Sequence, residues 1–87
     1  MNNEVNNLEN LDDRRLKIEQ MVNEYIDSLT KYYNINDAKT ELENLANSGK
    51  YNYEIFKNIR ECYYIVVNSK YWEALSRNDD YEIVEDY

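Results

Sequence analysis

Residues 53–67 read Tyr53-Glu54-Ile55-Phe56-Lys57-Asn58-Ile59-Arg60-Glu61-Cys62-Tyr63-Tyr64-Ile65-Val66-Val67, and their conformation decides the fold. Ile55, Phe56, Ile59, Cys62, Tyr63 and Val66 fall at spacings of one, three, three, one and three, the pattern of a single helical face. Asn52 stands where an N-cap would, and Lys57 with Glu61 forms an i,i+4 pair that favours continuation of a helix. The rival reading is extended chain, because Tyr63 to Val67 is β-branched and aromatic throughout. The unbroken stripe from Ile55 through Val66 favours the helix. On that reading Cys62 is a small buried hydrophobe.

Upstream, Ile18, Met21, Val22, Tyr25, Ile26, Leu29, Tyr32 and Tyr33 make an apolar stripe on one side of a helix, and Leu8 and Leu11 extend it by a heptad. Asn10 followed by Asp12 and Asp13 supplies a cap with acids in the first turn, which places the first helix at 11–33. Asn36 or Asp37 caps a second, short helix with Ala38, Leu42, Leu45 and Ala46 on its apolar edge, and Gly49 ends it as a C′ glycine. Downstream, Asn68-Ser69 is either a cap for a fourth helix bearing Tyr71, Trp72 and Leu75 or a kink in one long helix, with a break after Arg77-Asn78. Tyr81, Ile83 and Tyr87 then alternate with Glu82, Val84 and Asp86, a period of two that suits an extended segment.

The expected fold is therefore mainly α: a small three- or four-helix bundle over residues 10–78, with a frayed segment 1–9 and an extended acidic tail at 79–87. The alternative is α+β, with a short strand near Tyr63–Val67 paired to Tyr81–Val84.

Composition narrows the chemistry. Eighty-seven residues allow one small core, and one Gly with no Pro leaves too few turn residues for a many-stranded barrel. Histidine is absent, so Ser-His, Cys-His and His-metal sites lie outside this chain's means. A single Cys allows neither an intrachain disulfide nor a thiolate zinc cluster, and suits a reducing compartment. No carboxylate pair sits in an apolar context that would hold a proton near neutral pH, so no enzymatic activity and no cofactor are expected. Asp79, Asp80 and Glu82 could gather a loosely held cation, but Gly49 has no EF-hand neighbours, and the charge run reads first as solvated. The longest apolar run, Tyr63 to Val67, is far short of a bilayer span, and the start of the chain lacks a basic n-region and an apolar h-region. A cytoplasmic location is expected, with no membrane partner.

Net charge is -8, which disfavours direct binding of nucleic acid. Its placement is uneven. Residues 1–13 carry Glu4, Glu9, Asp12 and Asp13 and no base, whereas 14–77 carry nine acids against all ten bases. Residues 78–87 carry Asp79, Asp80, Glu82, Glu85 and Asp86 and again no base. In that last segment the carboxylates are interleaved with Tyr81, Ile83, Val84 and Tyr87, so charge is coupled to side chains that can anchor. Ten Tyr and one Trp exceed what a small core can bury with every hydroxyl satisfied, which brings Tyr71 and Trp72 to the surface as further contact candidates.

The expected function is that of a small acidic inhibitor whose Asp79, Asp80, Tyr81, Glu82, Ile83, Glu85, Asp86 and Tyr87, with Tyr71 and Trp72, occupy a basic nucleic-acid-binding or catalytic surface on a larger protein. Anti-defence inhibitors of phage or mobile elements, including anti-CRISPR proteins, work by this strategy, as do bacteriocin immunity proteins and antitoxins. Frequent Asn, Tyr, Ile and Lys fit an AT-rich source such as a low-GC bacterium or its phage, placing the protein in a bacterial host cell. A reading of another class is a structural or adaptor module that homodimerises through residues 8–33, where Leu8, Leu11, Ile18, Val22, Tyr25, Leu29 and Tyr32 approximate an a/d seam interrupted by Arg15.

Overall fold

A computed structural model describes the backbone of residues 2–85 and the side chains of residues 14–85, so Asp86 and Tyr87 lie outside the described residues. The chain runs through helix α1 (Asn2–Ser28), helix α2 (Ile35–Asn47), strand β1 (Tyr53–Asn58), strand β2 (Tyr63–Asn68), a 3₁₀ turn (Ser69–Tyr71), helix α3 (Trp72–Ser76) and strand β3 (Tyr81–Ile83). The three strands form an antiparallel sheet in the order β2-β1-β3. The fold is α+β, which corrects the expected helical bundle.

The correction has a local cause. Residues 53–67 are a hairpin, with Asn58 facing Tyr63 and the four residues Ile59 to Cys62 as its loop. The loop makes apolar residues on two strands fall at helix-like intervals by coincidence. Both faces of the sheet are covered: α2 packs on Ile55 and Val66, while α1 and α3 pack on Phe56, Tyr63, Ile65 and Val67. A strand enclosed from both sides reads as a continuous apolar run rather than an alternating one. Magnitudes settle the competition. A helix would have buried one stripe, whereas the sheet buries Ile55, Phe56, Ile65, Val66 and Val67 together, at roughly 1.5–3 kcal/mol each. The Lys57–Glu61 pair that favoured a helix offers only about 0.2–0.5 kcal/mol.

The α+β alternative is corrected too. A strand does occupy Tyr63–Val67, but its partner is β1, and the C-terminal strand pairs with the other edge of β1 rather than with β2. Register contacts run Phe56 to Ile83, Lys57 to Glu82 and Asn58 to Tyr81. Backbone bonds from Ile59 N–H to the Asp80 carbonyl (2.8 Å) and from Val84 N–H to the Ile55 carbonyl (2.9 Å) extend the pairing at both ends. Residues 80–84 are thus built into the sheet and are not a free tail.

Helix boundaries move for equally specific reasons. The helix placed at 11–33 spans Asn2–Ser28 instead, passing through Asn10 without a cap. It stops before Tyr32 because the Tyr32 backbone is extended: it exchanges hydrogen bonds with Tyr64 on the outer edge of β2, at 2.8 and 2.6 Å. Asn34, two residues before the expected position, caps α2 by accepting from Asn36 N–H. Gly49 closes that helix as read from sequence. At φ 82 it takes the left-handed conformation, and Gly49 and Lys50 donate to the Ala46 and Leu45 carbonyls in a Schellman motif. Asn68 caps the following turn by accepting from Lys70 N–H, and α3 is a short separate helix.

The sheet therefore sits between α2 on one face and α1 with α3 on the other. Among the described side chains, α1 joins this body through Val22, Tyr25 and Ile26, with Leu29 just beyond its end. From Arg14 through Met21 every side chain is exposed. A radius of gyration of 16.2 Å and extents of 56 × 30 × 21 Å follow from this projection, against about 12 Å for a compact chain of this length. Among the described residues no helix is long and apolar enough to cross a membrane.

Cys62 is exposed in the hairpin loop rather than buried, and its φ of 61 puts a side chain where glycine is favoured. The hairpin and the helical stripe both bury Ile55 but make opposite forecasts for Ile59. Ile55 is fully buried and Ile59 is 46% exposed. Urea denaturation should therefore show a loss of about 2–5 kcal/mol for Ile55→Ala and a change within about 0.5 kcal/mol for Ile59→Ala. Equal losses would restore the helical reading.

Candidate protein-interaction edge

The segment singled out for its charge becomes an edge strand, so its position depends on what fixes β3 to β1. Asn58, 6% exposed, is the centre of that attachment. Its Oδ1 accepts from the Arg60 and Glu61 backbone N–H groups, both at 2.9 Å, which sets the hairpin loop. Its Nδ2 donates to the Tyr63 hydroxyl at 3.1 Å, and that hydroxyl shares a hydrogen bond of 2.7 Å with the hydroxyl of Tyr81 on β3. Buried polar groups of this kind stabilise only when all are satisfied. Here they join all three strands at one end of the sheet.

Aromatic rings close around this network. The rings of Tyr33 and Tyr81 both meet Tyr63 edge-on, with centroids 6.4 Å apart in each pair, and the Lys31 ammonium lies 4.8 Å from the Tyr63 ring centre. Burial, followed by the hydrogen bond with Tyr63, pushes the Tyr81 hydroxyl up from 10.0 to about 12. Tyr81 is therefore a fastening of β3 and only half-accessible to a partner.

The other residues expected to make contact divide by role. Tyr71 stacks on Tyr25 at 3.8 Å with the rings nearly parallel, and the Trp72 indole N–H donates to the Val67 carbonyl at 2.7 Å. Both are half-buried and hold α3 and the 3₁₀ turn against the sheet. Asp80 is half-buried: its backbone N–H donates to Asn78 Oδ1, its carbonyl takes the Ile59 bond, and its carboxylate lies 3.6 Å from Arg60. Glu82 stands opposite Lys57 in the β1–β3 register. Asp79, Glu82, Ile83 and Glu85 are exposed, with Ile83 at 43%.

These residues form a line along β3 rather than a pocket. Since Lys57 and Glu82 exchange backbone bonds, the N–H and C=O of Ile83 point away from β1, along the open side of the sheet. An open strand edge is a template for another extended chain, and acidic side chains restrict which chains can use it. Sequence reading anticipated the charges and the extended conformation. It missed Asn58, Tyr63 and Lys31, whose roles arise from pairing across the hairpin and have no motif in the linear chain.

Two clefts accompany the edge. One, of about 670 Å³, lies between α1 and α3 and is lined among others by Arg15, Ile18, Val22, Ala74 and Arg77. The other, of about 280 Å³, lies between the end of α1, α2 and β2 and includes Tyr25, Leu45, Tyr53 and Val66. Among the described residues no group of three or more Cys, Asp or Glu side chains is arranged to hold a metal ion. Compared with protein-family models, curated proteins and solved structures, the chain finds no match in any of the three.

The Tyr63–Tyr81 contact has a consequence for alkaline stability. Below pH 10 the Tyr81 hydroxyl keeps its proton whether the chain is folded or not. As pH rises towards about 12 the unfolded chain gives it up first, so folded stability declines through that window. Tyr25, raised in the same direction by burial, adds to the decline. Urea midpoints measured across this range should fall less steeply in Tyr81→Phe than in the parent chain. An identical slope would remove Tyr81 from the account.

Proposed function

We propose that the protein is a small acidic inhibitor that occupies a basic nucleic-acid-binding or catalytic surface on a larger protein, and that it does so through the β3 edge. The observation that carries this reading is the exposed pair Glu82 and Ile83 on a strand whose outer side is unpaired among the described residues, flanked by exposed Asp79 and Glu85. Carboxylates on such an edge speed encounter with a basic surface and reject acidic ones, while Ile83 offers an apolar anchor at its centre.

Pinning β3 to β1 improves the reading in one respect. A mobile tail would lose conformational freedom on binding, whereas a strand already held by Asn58, Tyr63 and Tyr81 meets its partner in place. Among inhibitors of this kind, the anti-defence class of phages and mobile elements comes first and the immunity or antitoxin class second. Small size, acidity and the residue usage of an AT-rich source support that order.

The test is capture from a bacterial lysate, comparing the parent chain with a variant carrying Asp79→Asn, Asp80→Asn, Glu82→Gln, Glu85→Gln and Asp86→Asn. The captured protein should be released by added salt and its binding to the variant weakened by about tenfold or more. Circular dichroism should be unchanged between the two chains. Undiminished capture by the folded variant would exclude the β3 edge as the contact.

A further inference from the structure

The part of α1 that leaves the body presents large apolar side chains to solvent: Leu16 is 55% exposed, Ile18 58% and Met21 55%. A helix of this length without a packed face is marginal in water, because helices in proteins owe most of their stability to burial of an amphipathic side. What would cover this one is set by its charge order. Residues 4–13 carry Glu4, Glu9, Asp12 and Asp13 with no base, and residues 14–23 carry Arg14, Arg15 and Lys17 with Glu19 as the lone acid. Within one helix the two halves stand at pair spacing only where they join, Asp12 with Arg15 and Asp13 with Lys17. Two copies of the helix side by side in opposite directions bring the whole of one half alongside the other.

We propose that α1 pairs antiparallel with α1 of a second copy, residues 4–13 of each lying alongside residues 14–23 of the other. The symmetry is that of an isologous two-fold contact. Each copy supplies the same acceptor, the cleft between α1 and α3, lined by the apolar Ile18, Val22 and Ala74 and by Arg15 and Arg77 with the single acid Glu19. Arg77 is already paired with Glu73 at 2.6 Å, so Arg14, Arg15 and Lys17 are the bases left for the incoming acids. Leu8 and Leu11 stand in the sequence at the spacing that continues the Ile18 and Val22 stripe. A parallel pair would set acids against acids and bases against bases, so charge selects the antiparallel arrangement. The contact uses α1 and α3, and β3 stays open on each copy.

Sedimentation and light scattering on the full chain, from low micromolar to millimolar, should give a mass that rises towards twice the monomer. Asp12→Arg with Asp13→Arg in one variant, and Arg14→Asp with Arg15→Asp in another, should each self-associate about tenfold or more weakly. Mixing the two variants should restore the dimer, since one helix is then wholly basic where the other is wholly acidic; a misfolded variant would not be rescued in this way. Ile18→Glu, on an exposed position, should also remain monomeric. In a Cys62→Ser background, Asn10→Cys should crosslink to Lys17→Cys on the other copy and not to itself. A monomeric parent chain at millimolar concentration, as for a helix awaiting some other protein, would overturn the proposal. So would charge-reversed variants that dimerise as well as the parent, a mixture that stays monomeric, or self-crosslinking of Asn10→Cys.

Discussion

Every other element depends on β1 having no free side. Its two faces are taken by α2 and by α1 with α3, and its two edges by β2 and β3. Ile55 and Phe56, adjacent in sequence and fully buried on opposite faces, are where the two half-cores meet. Neither half-core is large. A six-residue strand shared between them lets each layer stabilise the others, which is how a chain of 87 residues with no disulfide encloses two apolar clusters.

That sharing also governed how much of the fold could be read from the sequence. The Schellman ending of α2 at Gly49 and the cap at Asn68 were legible because Gly and Asn act locally, through hydrogen bonds within a few residues, whereas the cap of α2 falls on Asn34 and not on Asn36 or Asp37. The extended conformation of 81–83 was legible because Tyr81 and Ile83 alternate with Glu82 in the sequence, as an edge strand permits. The hairpin was not legible. Burial of both faces erased the period of two from Ile65-Val66-Val67, and the loop between the strands contains neither Gly nor Pro to mark it. Its left-handed position is filled by Cys62, and its turn is set by Asn58 Oδ1, a bond that the sequence does not announce.

The candidate edge was legible in charge and not in attachment. Acidic residues at 79–85 could be counted, but whether they hung free or were fastened depended on Tyr81 reaching Tyr63, eighteen positions away, and on β1 offering its second edge. For Tyr71 and Trp72 the aromatic surplus pointed to the surface, yet the Tyr71 ring stacks on Tyr25 and the Trp72 indole N–H is bonded to the β2 backbone. Adjacent aromatics on a short helix near a small sheet serve the fold first, because so few other large side chains are available to close it.

The two acidic ends of the chain differ in where their nearest bases stand. At the N-terminal end the bases Arg14, Arg15 and Lys17 follow the acids directly in the same helix. At the C-terminal end the nearby bases are Arg60, which faces Asp80, and Lys57, which is opposite Glu82. These two sit within the same sheet end, and neither is opposite Asp79 or Glu85. Different charge therefore serves each proposed contact: the surplus on β3 would meet a foreign basic surface, and the charge order of α1 would meet a second copy.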